Sequence, residues 1–162
     1  MFKGFAVLAA VGAFAVVPAS ALASNTDKST GGGSSPGNAT YQAGGVAVPF
    51  SFTLTAQNTL APKGNFTFTR PDGSFQATVT CYTQAGNQGA LSGPITSGTG
   101  IFAGFAGQYA YFGVQDNGEG ANATAPDAIQ VDIGSQYTNN CPISSIYPYQ
   151  VTSGNIQVHQ GS

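Results

Sequence analysis

Charge is what this 162-residue chain lacks most: 6% of its residues are Asp, Glu, Lys or Arg, against roughly a quarter in ordinary globular domains. Solubility must therefore come from Ser, Thr, Asn, Gln and Gly. Beyond residue 23 the only cations are Lys28, Lys63 and Arg70, set against Asp27, Asp72, Asp116, Glu119, Asp127 and Asp132. Three cations cannot build the basic stripe that a phosphate backbone demands, so electrostatic binding of nucleic acid is excluded. Tryptophan is absent and the single histidine, His159, lies close to the C-terminus. Nothing in its surroundings supports a Ser-His-acid triad.

Long apolar runs are missing too, except at the start. There Lys3 supplies a positive n-region, Gly4 to Val17 an uncharged, mostly apolar stretch, and Ala21-Leu22-Ala23 an A-x-A cleavage site. That is the layout of a secretory signal over residues 1–23, and its apolar run falls short of the ~20 residues that a membrane-spanning helix needs. Ser24, where a lipidated export signal would carry Cys, argues against a lipid anchor. The expected product is secreted. It has no membrane span after cleavage and is either released or held non-covalently at the cell surface.

Cysteine is limited to Cys81 and Cys141. An even count behind an export signal implies an oxidising compartment and a bridge between the two. Closing a loop of that length is worth roughly 4 kcal/mol through the entropy removed from the unfolded chain.

Residues 24–45 contain GGGSSPGN and few large apolar side chains. On hydrophobic grounds they cannot offset the entropy of ordering, so they are expected to be a flexible Gly/Ser-rich linker, with the folded domain over 46–160. From Val46 the period is two. Val46, Val48, Phe50, Phe52 and Leu54 share one face of a strand, which Pro49 is expected to place at a sheet edge or on a bulge. Phe66 and Phe68 alternate with Thr67 and Thr69, Pro71-Asp72-Gly73 supplies turn chemistry, and Phe75, Ala77, Val79 and Cys81 return on one side. A weaker strand lies around Ala90 to Thr96. Gln108 to Asp116 and Asp127 to Gly134 are clear ones, and Val151, Ile156 and Val158 close the chain. Helical periodicity is not convincing anywhere in the mature part. The pattern predicts an all-β, antiparallel β-sandwich, Ig-like or jelly-roll-like, of about seven or eight strands with one disulfide.

Four of the acids cluster in sequence: Asp116, Glu119, Asp127 and Asp132. The run Asp116-Asn117-Gly118-Glu119-Gly120, with Asp127 after it, is rich in the oxygens that hard cations take. It does not follow EF-hand spacing. Asp116, Asn117, Glu119 and Asp127 are therefore a candidate calcium site, beside the plainer reading that Asp-Asn-Gly is simply turn chemistry. Glu119 with Asp127 or Asp132 also imitates a glycosidase acid pair. The outward T-x-T pairs (Thr53, Thr55, Thr67, Thr69, Thr78 and Thr80) could order water or bind sugars, although threonine is favoured on any exposed strand. Tyr147-Pro148-Tyr149 with Phe102 and Phe105 could form a sugar-stacking platform, or simply core.

Taken together, Lys63-Gly64-Asn65-Phe66, Val79-Thr80-Cys81, DNGEG with Pro126-Asp127, the lone Cys141 and the closing GNIQVH resemble an uncharacterised family of small secreted proteins of actinobacterial type, over about Val46 to His159. The resemblance implies export, a Cys81–Cys141 bridge and a special acidic loop. It brings no catalytic residues. The functional expectation is a non-enzymatic extracellular surface or matrix binding module without a cofactor, its partner an extracellular ligand such as a glycan or cell-surface component. The alternatives are a calcium-dependent carbohydrate-binding or adhesion domain and, last, a glycan hydrolase.

Overall fold

A computed structural model describes residues 26–59, 61–119 and 123–161. The signal sequence expected over residues 1–23 lies outside the described residues. The chain is all-β: ten antiparallel strands form one continuous sheet, curled into a half-barrel so that its two halves face each other across the core. The strands are β1 Lys28–Ser35, β2 Phe50–Gln57, β3 Lys63–Arg70, β4 Gly73–Thr78, β5 Cys81–Ala85, β6 Gln88–Gly98, β7 Tyr109–Gln115, β8 Ala128–Ile133, β9 Tyr149–Gln150 and β10 Ser153–His159. Their order across the sheet is β10-β1-β2-β3-β4-β6-β7-β8-β9, with β5 pairing beside β4's place on β6.

The structure departs from the sequence pattern at β1 and at the junction of β4 and β5, and both departures have a physical cause. The first is β1, KSTGGGSS, which the composition marks as linker. It is hydrogen-bonded on both edges, to β2 from Lys28↔Gln57 to Ser35↔Phe50 and to β10 from Lys28↔His159 to Ser34↔Ser153. Its stability comes from backbone pairing and not from its own side chains. Gly31 and Gly33 face the core opposite Leu54 and Phe52, and a Cβ on either would run into the backbone of β10 at Asn155 or Ser153. The glycines admit close neighbours whose large side chains cover the strand. The folded domain therefore begins near Lys28 and not at Val46.

The second departure lies between β4 and β5. The Val79 amide donates to the Gly64 carbonyl of β3 (3.0 Å), whereas the next amide, Thr80, donates to Ser92 of β6 (2.9 Å). This exchange of neighbours shifts the alternation by one residue. Phe75, Ala77, Val79 and Tyr82 enter the main core, and Cys81 turns to the opposite face. The expectation that Cys81 shares the face of Phe75 and Val79 is thereby corrected.

β2 is also corrected. It starts at Phe50, directly after Pro49, and lies between β1 and β3, not at an edge. Its alternation holds well: Phe50, Phe52, Leu54 and Ala56 are all buried. The hairpin of β3 and β4 pairs Arg70 with Gly73 around Pro71-Asp72, and Arg70 grips Asp72 with Nε–Oδ1 at 3.0 Å and Nη2–Oδ2 at 2.8 Å. Without tryptophan the core is filled by phenylalanine. Phe66 and Phe112 meet edge-on at 4.7 Å, Phe68 stacks on Phe75 at 5.4 Å, and Phe102 meets Phe75 at 5.2 Å. Such pairs add about 0.5–1.5 kcal/mol each beyond their area.

A second, smaller cluster lies on the outer face of β5, β6 and β7. The Cys81–Cys141 disulfide joins there (Cα–Cα 5.9 Å), beside Ala90, Tyr111, Tyr137 and Ile143. It pins the irregular segment after β8 over that face, where Tyr137 stacks on Tyr111 at 4.6 Å and the Tyr111 hydroxyl donates to the Pro142 carbonyl at 2.7 Å. The outer face of β10 to β4 is uncovered and polar. One row crosses it as Asn155, Gly32, Thr53, Thr67 and Gln76, and the Thr53 and Thr67 hydroxyls bond at 2.7 Å.

Candidate functional site

The sheet does not close on itself through backbone pairing, because β10 keeps a free edge. The acidic loop between β7 and β8 occupies that edge. Asp127, a buried carboxylate, accepts the Ile156 amide at Oδ2 (2.7 Å) and the Asn117 amide at Oδ1 (2.9 Å). Asp116 accepts Val158 N at Oδ2 (3.0 Å) and Gly118 N at Oδ1 (2.9 Å). Alternate amides of β10 thus find carboxylates where a neighbouring strand would have offered carbonyls. Glu119 Oε1 accepts both the Asn155 side-chain amide (2.6 Å) and that of Gln157 (2.8 Å). Asn117 Nδ2 donates to Pro126 O at 2.7 Å, which ties the two ends of the loop together.

The residues singled out for calcium, Asp116, Asn117, Glu119 and Asp127, do come together here. Five of their six carboxylate oxygens, however, accept from N–H donors. Every carboxylate oxygen of Asp116 and Asp127 holds a backbone amide, and among the described residues no three His, Cys, Asp or Glu side chains gather to hold a metal ion. The three segments DNGE, Pro126-Asp127 and GNIQVH, far apart in sequence, meet in this one place.

The geometry is also a poor acid pair. The Gln157 and Asn155 amides hold the exposed Glu119 carboxyl below its ordinary range, whereas a catalytic acid needs a raised one. Asp127, one partner read for Glu119, spends both oxygens on the Asn117 and Ile156 amides, and the other, Asp132, lies near the far end of β8. Its Oδ2 instead accepts the Tyr137 hydroxyl at 2.7 Å.

Other side chains complete the seam. The Ser29 and Tyr82 hydroxyls bond at 2.8 Å in the interior. With its amide turned so that the nitrogen faces Tyr82, Gln84 donates to the His159 carbonyl and accepts from Gln160 N, both at 3.0 Å. Burial, only partly offset by the Ser29 bond, pushes the Tyr82 phenol up to about 12.

An open hollow of about 680 Å³ lies against this loop, between Glu119, Pro126, Asp127 and Asn155, and another of about 480 Å³ lies between Pro36, Pro49 and Pro71; a third concavity, the one walled by aromatic rings, lies at one mouth of the half-barrel. A cavity of about 300 Å³ opens there. Phe50, Phe68, Phe75, Phe102 and Tyr149 supply aromatic walls, and Val131 and Ile133 of β8 close one side. Arg70 and Asp132 bring the charge. Burial and, secondarily, the Asp132 carboxylate hold the Tyr149 phenol above its usual range, with Arg70 acting in the opposite sense. The Tyr149 hydroxyl donates to the Tyr41 carbonyl (3.2 Å), which holds the 38–45 segment beside the opening. Two members of the aromatic set proposed from sequence, Phe102 and Tyr149, belong to this cavity. Tyr147 packs instead beside Gly113 on the outer face, and Phe105 packs on Phe102 at 5.9 Å. Arg70, Phe50, Phe68 and Phe75 were not legible as site residues, since they look like ordinary strand and turn positions until six separate segments converge.

No protein-family model matches the chain, and neither a curated protein nor a solved structure does. Among the described residues no helix is long and apolar enough to cross a membrane.

Proposed function

We propose that the protein is an exported, non-enzymatic binding module that holds an extracellular ligand in the aromatic cavity at the mouth of the half-barrel. The observation that carries this reading is that cavity: aromatic rings with a few convergent polar groups, at a barrel mouth, are the usual make-up of a small-molecule site. The acidic loop has a sufficient structural task at the β10 edge, which leaves a calcium-dependent adhesion site or a hydrolase with less support. The disulfide fits an oxidising compartment.

The test has two arms. Residues 1–23 fused to a reporter active only outside the cytoplasm should yield activity; none would remove export from the reading. Ligand-observed NMR with a library of small fragments should find binders whose signal is lost in Val131→Phe, a change that fills the cavity from one wall, and each binder should be recovered unchanged after long incubation. Conversion of a binder, abolished by Glu119→Gln, would make the protein an enzyme and overturn the proposal.

A further inference from the structure

The charge and shape of the cavity point to its ligand class: a single neutral sugar ring, such as the terminal residue of a glycan. This assignment rests on the binding reading above and deepens it. Three ligand chemistries compete for a space of about 300 Å³, and the wall discriminates among them. A purely apolar guest would cover Nη1 of Arg70 and the remaining acceptor sites of Asp132 without offering either a partner, and polar groups buried without one are costly. An anionic guest such as a fatty acid would meet one guanidinium already held by both Asp72 oxygens. With Asp132 also at the cavity, it would face two carboxylates against a single cation.

A neutral ring with C–H faces and a hydroxylated edge satisfies both halves of the wall. Its C–H groups meet the edges of Phe50, Phe68 and Tyr149, which pack against one another and reach the cavity only there, and its hydroxyls bond to groups that still have capacity. Nη1 of Arg70 is not used by Asp72, whose partners are Nε and Nη2. A carboxylate has about four acceptor sites, and Asp132 spends one on the Tyr137 hydroxyl and one on the Ile133 amide. The packed rings behind those edges keep the inner end of the cavity low in dielectric, and a charge-assisted bond beside it is worth more than it is in water. The threonine-rich outer face offers hydroxyls too, but it is the convex side of a curled sheet, where water competes at every position.

Saturation-transfer NMR on the intact, oxidised protein tests the assignment. The probes are methyl glycosides of glucose, galactose, mannose and N-acetylglucosamine, with decanoate and cyclohexanol as the anionic and apolar comparators. At least one glycoside should bind with Kd of order millimolar. Arg70→Met, which removes a partly exposed ion pair and leaves the core intact, should weaken it about tenfold, as expected for one lost charge-assisted bond, and Val131→Phe should abolish it. If only decanoate or cyclohexanol binds, and Val131→Phe removes that signal, the sugar assignment falls while the cavity reading stands. If no probe binds the wild type, or if glycoside binding survives both substitutions, the sugar assignment and the cavity reading fall together.

Discussion

Replacing Asp127 by alanine should cost more stability than any other single change in the acidic loop. The carboxylate is 7% exposed and holds two backbone amides, Asn117 N at 2.9 Å and Ile156 N at 2.7 Å. A bond from an N–H to an ionised acceptor is worth about 1.5–3 kcal/mol, and a donor stranded without water costs a similar amount. Ile156 is fully buried, so its amide has no ready substitute. Two such bonds give an expected loss of about 3–5 kcal/mol, or a fall of roughly 10–20 °C in Tm for a domain of this size. Asp127→Asn should fall between the two proteins, since an amide can accept one of the bonds but turns a second donor toward the other. Asp116→Ala should cost only about 1–2 kcal/mol, because its site is half-exposed and water can replace it. Urea unfolding followed by circular dichroism on the oxidised proteins measures all three. A loss below ~1 kcal/mol for Asp127→Ala, in the range of an ordinary surface change, would refute the view that this carboxylate stands in for a missing strand.

The same geometry predicts that melting curves in calcium and in chelator coincide, since the oxygens of Asp116 and Asp127 already hold amides; a calcium-dependent rise in Tm would restore the metal reading. Cys81→Ser/Cys141→Ser should lose about 4 kcal/mol and, in hydrogen exchange, should expose residues 135–148 before the phenylalanine core. Burial pushes Tyr82, Tyr137 and Tyr147 each up to about 12, above the unfolded value of 10.0. Their contribution is therefore complete below pH 10 and is lost as pH rises toward 12. Ultraviolet titration should show part of the phenolate signal appearing only with cooperative alkaline unfolding; a single smooth ionisation near pH 10 would contradict the burial. For Glu119 the folded value is depressed, so its contribution is present above the unfolded value of 4.5 and fades as the solution is acidified through the folded one. Loosening of the Asn155 and Gln157 amide signals on acidification, absent in Glu119→Gln, would report it.

The elements read correctly from the sequence are those whose side chains carry the pattern. β2 announces itself because Phe50, Phe52 and Leu54 alternate with Ser51, Thr53 and Thr55, and the β3–β4 hairpin because Phe66 and Phe68 lead into Pro71-Asp72. β1 is silent because its inward positions include glycines whose role is to have no side chain, and its stability resides in backbone bonds to partners 15–29 and 119–131 positions away. Cys81 was assigned to the wrong face because a one-residue jog at Val79–Thr80 changes parity without leaving a Gly or Pro to mark it. The acidic loop was visible as a cluster, but its partner was not: nothing in Asp116 or Asp127 says that their acceptors will meet the amides of Ile156 and Val158. The cavity was half visible, in Phe102 and Tyr149, because convergence of separate strands is a property of topology and not of spacing.

Lys28 lies opposite His159 where β1 meets β10, so the ends of the folded unit leave it side by side. Because the first strand is clasped by the last, the sheet is not complete until β10 has been made, and such distant pairings fold slowly. The same adjacency makes the ring of strands easy to re-thread. A short bridge from Gly161 back to Asp27, with new ends cut at Pro71-Asp72, should give a permuted molecule with the same hydrogen-bond pattern. A cargo attached before Asp27 or after Gly161 would project from the same corner.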